Sequence, residues 1–317
     1  MLTTDIILMI GLPASGKSSI SKEYENLGYT IISCDKKTMS SAIETVSLDR
    51  EIKRGKKVVI DNTNTTKDTR KRFIDYAQAH NLTIGAHYMF TSKDDCLINS
   101  LNRMFERCGE IYMHIKDIPS NLKAQPNLFV ITPIFAMNKN FERATLTEGF
   151  DQVETTKFVR NDNFGYTNKA LFVDLDGTVR RSIGSEQYPI EIDDIVILEN
   201  SIEVLKKYKA DGYKIIAVTN QSGIAKGTLT TKKVKELIEH TNSLLGNLID
   251  DYCFCPHLPP KDTCYCRKPQ SGNGILMMHK HKLDLKSCVM VGDSTSDKTF
   301  AERLGMAYRN QSFFFNR

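Results

Sequence analysis

Two α/β domains, each on a mainly parallel sheet, are predicted by three observations. The length of 317 residues corresponds to about two domains. Apolar, β-rich runs alternate with amphipathic stretches twice along the chain, and the polar, turn-rich segment 160–169 separates the two series. The boundary falls there, giving domains of residues 1–162 and 163–317. A composition of 40% hydrophobic and 26% charged residues is that of a globular protein and excludes disordered or collagen-like chains. No apolar run approaches the ~18 residues that span a bilayer, and the opening residues lack a basic flank and a small-residue cleavage site. The expectation is a cytoplasmic or nuclear protein, not secreted and not membrane-bound. The net charge of +5 is shared by both halves, so it tolerates an anionic partner without demanding one.

In the first half, strands are expected at 5–10, 29–33, 57–61 and 83–90, joined by crossover helices. Beyond Cys108 the pattern degrades, because Pro119, Pro126 and Pro133 interrupt any long helix, until a strand-like run at 152–159. Directly after the first strand, residues 11–18 read G-x-x-x-x-G-K-S, the loop whose backbone N–H groups and helix N-terminus cradle nucleotide phosphates. Gly11, Ser15, Gly16, Lys17, Ser18 and Ser19 are therefore the candidate ATP-binding residues. Lys17 would reach the β/γ oxygens, and the Ser18 hydroxyl would ligate Mg²⁺. The second strand ends at Asp35, a candidate general base that could equally cap the next helix. Asp61, Asn62, Thr63 and Asn64 end the third strand and could hold Mg²⁺, hold substrate or cap a helix. Arg103 and Arg107, four apart on one helical face, could neutralise a transferring phosphoryl group or form a solvated face.

The phosphate loop, Asp35, the run Ile60 to Asn64, the arginine helix and residues 145–150 together resemble the kinase domain of polynucleotide kinase-phosphatases, over about residues 5–160. The resemblance implies transfer of the ATP γ-phosphate to a 5'-hydroxyl of DNA or RNA, with Asp35 as base and Arg103 or Arg107 stabilising the transition state. Residues 109–135 match that family poorly.

In the second half, strands are expected at 169–176, 213–220 and 287–293, with helices near 199–211 and 230–245. Asp174 and Asp176 stand at i and i+2 on a strand end, which directs both carboxylates toward the same side. Thr219, Lys268, Asp293 and Asp297 follow in order near later strand ends. This series resembles the haloacid dehalogenase phosphatase superfamily, with its Rossmann-like sheet, from residue 169 to about 310. The resemblance implies Asp174 as the nucleophile, Asp176 as general acid/base, Thr219 and Lys268 as phosphate binders, and Mg²⁺ held at Asp174, Asp176, Asp293 and Asp297. Only residues 179–212 separate the first two strands, which leaves no room for a large cap domain.

Cys255, His257, Cys264 and Cys266 supply a complete tetrahedral Zn²⁺ set in a reducing compartment, closed to catalysis and pinning the loop that carries Lys268. Cys253 is an alternative ligand. The loop is similar to that of the histidinol-phosphate and heptose-bisphosphate phosphatases of the superfamily. A kinase and a phosphatase acting on one hydroxyl would merely hydrolyse ATP, so their fusion points to two positions on one substrate. The leading reading is an enzyme that phosphorylates 5'-hydroxyl ends and removes 3'-phosphates of DNA or RNA, with 2',3'-cyclic phosphates as an open extension and a ligase as an open downstream partner. The basic stretches 50–57 and 67–72 could meet a nucleic-acid backbone or be solvated helix faces. The alternative is a small-metabolite kinase fused to a sugar-phosphate or histidinol-phosphate phosphatase.

Overall fold

The structure, a computed structural model, describes residues 1–33, 41–161, 164–184, 187–259 and 263–316. The chain forms two compact units, Met1–Gly109 with Ile118–Asn161, and Glu110–Asp117 with Asp162–Arg317.

Unit 1 is a five-stranded parallel sheet: β1 Ile6–Ile10, β2 Thr30–Ser33, β3 Val58–Asp61, β4 Ile84–Phe90 and β5 Gln152–Lys157, in the order β2-β3-β1-β4-β5. β1 is central and wholly buried, so its sequence IILMI is apolar at every position. Its even-numbered residues pack with Phe73 and Ile74 on one face, while Ile7 and Met9 pack with Tyr24, Tyr29 and Met89 on the other. The helices are α1 Lys17–Asn26, α2 Ser41–Lys53, α3 Lys67–Ala79, α4 Lys93–Cys108 and α5 Ile131–Lys139. Thr66 and Ser92 cap α3 and α4 by accepting a backbone N–H three residues on, and Gly109 ends α4 in the left-handed conformation. α5 forms despite Pro133, which sits in the first helical turn, where its missing N–H has no intrahelical partner to lose.

Unit 2 carries a second parallel sheet in the order β10-β9-β6-β11-β12: β6 Ala170–Val173, β9 Lys214–Asn220, β10 Asp251–Cys255, β11 Val289–Gly292 and β12 Ala307–Asn310. The strand order reverses at the β6–β11 boundary, the place where open α/β sheets open a crevice beyond their carboxyl ends. β7 Arg180–Ser182 and β8 Ile195–Ile197 pair antiparallel. This small ribbon occupies the segment between β6 and the next helix, and among the described residues that segment holds no large cap. The helices are α6 Ser201–Ala210, α7 Gly223–Lys226, α8 Thr231–Leu244, α9 Gly272–His281, α10 Thr295–Leu304 and α11 Gln311–Phe314. The edge strands β10 and β12 were not among the expected strands. Among the described residues no helix is long and apolar enough to cross a membrane.

Candidate active sites

In unit 1 the phosphate loop is fixed from several sides before any ligand arrives. Gly16, at φ +97°, turns the chain into α1 in a conformation that favours glycine. The Gly11 amide donates to the Thr63 carbonyl at 3.0 Å, Thr91 Oγ1 donates to the Ser15 carbonyl at 2.7 Å, and Asn99 Nδ2 to that of Ala14 at 3.0 Å. Lys17, 8% exposed, donates from Nζ to the Gly11 and Leu12 carbonyls at 3.0 and 2.8 Å, which draws its ammonium in among the loop carbonyls. Ser18 and Ser19 are exposed at the start of α1. A cavity of about 300 Å³ is lined by Lys17, Ser18, Asp61, Asn62, Thr63 and Arg103, together with Asn127, Val130, Pro133 and Met137. Arg103 also donates to the Asn127 carbonyl at 2.8 Å. Arg107 is not in the lining; it donates to the Pro126 carbonyl at 3.1 Å. Asp35 lies outside the described residues.

Arg70 was missed by the sequence reading. It is fully buried, forms a two-pronged pair with Glu148 at 2.8 and 2.9 Å, and donates to the carbonyls of Asn64 and Glu142. One guanidinium thus ties residues 145–150 to the loop after β3. The basic stretches are likewise committed within the fold. Arg72 pairs with buried Glu44, Arg50 and Arg54 with Glu51, Lys53 with Asp49 and Lys71 with Asp75. Ion pairs along the helices thus engage several basic side chains of both stretches, the pattern of the solvated-face alternative.

In unit 2, Asp174 follows β6 and Asp293 follows β11, the two strands that flank the crevice. Lys268 is 3% exposed and its Nζ lies 2.6 Å from both Asp174 Oδ1 and Asp297 Oδ1. Burial alone would lower its pKa, but the two carboxylates outweigh burial and raise it. Asp174 is pushed up to about 7 by burial, against the pull of Lys268. Asp293 is raised by burial and by Asp297. Carboxylate oxygens of Asp174, Asp293 and Asp297 come within 4.8 Å of one another. Such a cluster of hard oxygen donors, with Asp174 and Asp297 buried and Asp293 exposed, fits a divalent cation of the Mg²⁺ type. Asp176 is not in that group: its two oxygens accept from Arg180 Nε and Gln221 Nε2, both at 2.8 Å. Arg180, another buried arginine that the sequence reading missed, also donates to Thr241 Oγ1 and the Leu237 carbonyl.

Gly177 has φ +82°, and a Cβ there would lie 2.3 Å from Asp293 Oδ2, so only glycine lets the two strand-end loops approach. Thr219 is buried and its Oγ1 accepts from Gln221 at 3.0 Å. Asn220 exchanges hydrogen bonds with the Lys268 backbone at 3.0 and 3.1 Å, seating the loop that presents Lys268. Asp174, Asp176, Thr219, Lys268 and Asp293 all line one cavity of about 480 Å³, together with Gln187, Tyr188, Lys226 and Arg267. Gln187, Tyr188 and Lys226 were not foreseen, because nothing in their local spacing marks them.

Cys255, at the end of β10, gathers with His257, Cys264 and Cys266, one donor atom from each lying within 4.8 Å of the others. The Cys255 and Cys264 sulfurs are 3.8 Å apart, and His257 Nδ1 is 3.2 Å from Cys266 Sγ. A tetrahedral ion with bonds of ~2.3 Å to sulfur requires S···S edges of about 3.8 Å, so this donor set suits a thiophilic tetrahedral metal. Hydrogen bonds from Cys255 and Cys266 hold the Cys264 thiol well below the ordinary thiol range. Cys253 points elsewhere, to the Ala217 carbonyl, and is not part of the set.

Comparison with known proteins assigns the two units separately. A family profile described as an AAA domain matches residues 6–111, and one described as polynucleotide kinase 3 phosphatase matches residues 169–315. The chain is 37% identical over 145 residues to a probable D-glycero-D-manno-heptose-1,7-bisphosphate 7-phosphatase of Thermoplasma volcanium, covering 44% of this chain and 97% of that protein. It is 38% identical over 135 residues to a D-glycero-beta-D-manno-heptose-1,7-bisphosphate 7-phosphatase of Helicobacter pylori, covering 41% and 75%. Among solved structures, the heptose 1,7-bisphosphate phosphatase from B. bronchiseptica complexed with magnesium and phosphate aligns at TM-score 0.40 with 27% identity, covering 45% of this chain and 79% of that one. A chain of the Pnkp1/Rnl/Hen1 RNA repair complex aligns over 96% of this chain and 94% of its own at TM-score 0.35 and 15% identity.

Proposed function

The chain belongs to the haloacid dehalogenase phosphatases through its second unit and joins to it a P-loop kinase domain, the architecture of the bifunctional polynucleotide kinase-phosphatases; from that premise we propose that it heals nucleic-acid ends. On this reading residues 1–162 phosphorylate 5'-hydroxyl ends with ATP, and residues 163–317 remove 3'-phosphates, with 2',3'-cyclic phosphates as a further substrate and a ligase as the consumer of the healed ends. The supporting observation is that one chain holds two phosphoryl-transfer sites of opposite sense, a phosphate-loop cavity and an Asp174–Lys268 cavity. On a single hydroxyl these would cancel. On the two ends of a broken strand they cooperate.

In the kinase site, the loop N–H groups and Lys17 bind the nucleotide phosphates, Arg103 faces the transferring group, and Asp35 takes the proton of the acceptor hydroxyl. In the phosphatase site, Asp174 attacks phosphorus as the bond to the leaving oxygen breaks, and Asp176 gives that oxygen its proton. Asp176 then takes a proton from the water that hydrolyses the aspartyl phosphate. Thr219 and Lys268 hold the phosphoryl oxygens, while Arg180 and Gln221 keep Asp176 aimed at the leaving group. Asp174, Asp293 and Asp297 would hold Mg²⁺, which when bound would supply charge neutralisation of the phosphate oxygens. Cys255, His257, Cys264 and Cys266 would hold Zn²⁺ in a structural role.

The test is mass spectrometry of a single-stranded oligonucleotide bearing a 5'-hydroxyl and a 3'-phosphate, incubated with protein, ATP and Mg²⁺. Gain of phosphate at one end and loss at the other is expected. The heptose-bisphosphate relatives, which align over most of their own length, favour a second reading in which the phosphatase unit takes a small sugar phosphate. A 5' end that gains phosphate beside an untouched 3'-phosphate would favour that reading, and no change at either end would overturn the nucleic-acid proposal.

A further inference from the structure

The first unit is interrupted. After Gly109 the chain leaves it, and the eight residues Glu110–Asp117 belong to the second unit before the chain returns at Ile118. Ile111, Tyr112 and His114 are buried although they lie in a short stretch without a long helix or strand. Within the second unit these residues lie over the Cys/His centre. The Met113 side chain packs on the Cys255, Cys264 and Cys266 cluster, and its carbonyl accepts from the Tyr265 amide at 2.8 Å. The His114 ring stacks on the ligand His257, with centroids 5.0 Å apart and planes 21° apart. The segment then closes on itself: Asp117 Oδ2 accepts from the His114 amide, and His114 Nδ1 accepts from that of Lys116.

All three anchors belong to the metal-ligand loop. Tyr265 sits between the ligands Cys264 and Cys266, His257 is itself a ligand, and Met113 rests on the sulfurs. Three thiols crowded together hold this geometry only while a cation neutralises and bridges them; without it the Cys-x-Cys backbone and the His257 ring lose their fixed orientation. We infer that residues 110–117 are a strap seated by the occupied metal centre, so that metal loss frees the chain between α4 and α5. This rests on the reading of the centre as a zinc site. The strap continues at one end into α4, which carries Arg103, and at the other into the stretch that supplies Asn127, Val130, Pro133 and Met137 to the kinase cavity. Releasing it loosens both walls of that cavity, so zinc binding in the phosphatase half tunes the kinase half.

The experiment uses the full chain, as purified and after stripping with a chelator, with zinc measured and trypsin cleavage after exposed Lys116 followed. Stripping is expected to speed that cut about tenfold, ahead of cuts at Lys232 and Lys235 in α8, and restored zinc to reverse it. His114→Ala keeps all four ligands; it is expected to bind one zinc, surrender it to a chromophoric chelator about tenfold faster, and show a raised KM for ATP. One zinc per chain with cleavage at Lys116 indifferent to it overturns the strap alone. Cleavage that rises equally at Lys116, Lys232 and Lys235 overturns it too, as simple unfolding of the unit. Protein that takes up no zinc overturns both the strap and the zinc reading beneath it.

Discussion

Lys268 shows how much a single side chain carries in the phosphatase unit. It bridges two buried carboxylates, and each would be left as an uncompensated buried charge in its absence. Lys268→Met should therefore abolish 3'-phosphate release, lower the stability of unit 2 by about 3–5 kcal/mol, and leave 5'-phosphorylation standing. Denaturant unfolding and end-labelled oligonucleotide assays would check this; unchanged stability would mean that the two aspartates take up protons or a cation instead. Asp174, Asp176, Thr219 and Asp293 were legible because each stands at or just past a strand end, whereas Lys268, in the loop before α9, and Asp297, in α10, were picked out by their order in the chain. Arg70 and Arg180 were not, since a buried arginine in a basic stretch has the same local sequence as a solvated one. Their partners Glu148, Thr241 and the Leu237 carbonyl are far away in the chain.

At the level of elements, the phosphate loop depends on a brace that reaches across the unit. Arg70 on α3 holds Glu148, and through the carbonyls of Asn64 and Glu142 it fixes the loop after β3 that lines the kinase cavity. Lysine keeps the charge but cannot span both oxygens of Glu148 and the two carbonyls at once. Arg70→Lys should cost unit 1 about 2–4 kcal/mol and reduce kcat for 5'-phosphorylation, with phosphatase turnover intact. Thermal unfolding and separate assays of the two reactions measure it. The central strands were readable because they are buried on both faces and hence apolar throughout. β10 and β12 lie at sheet edges, where DYCFC and AYRN mix apolar and polar residues. α5 was hidden by Pro133, whose position in the first turn is compatible with a helix although its type argues against one.

Across the whole molecule, the two chemistries are built from separate residues on separate sheets. Asp35→Asn should remove 5'-phosphorylation and spare 3'-phosphate release, and Asp174→Asn should do the reverse, each by about a thousandfold or more. A single substitution that silenced both would show that the reactions share a site. The fold class was legible from two rounds of alternating runs, whereas the interruption of unit 1 was not, because no local pattern in 110–117 names its distant partner. That interruption has a consequence for synthesis. A chain made from its N-terminus completes the strands and helices of unit 1 while residues 110–117 still have nowhere to dock, since His257, Tyr265 and the cysteines that receive them have yet to be made. Unit 1 therefore passes through a stage with its own sheet formed and the span 110–117 still loose, and that span closes only once the cysteines and His257 of unit 2 have been made.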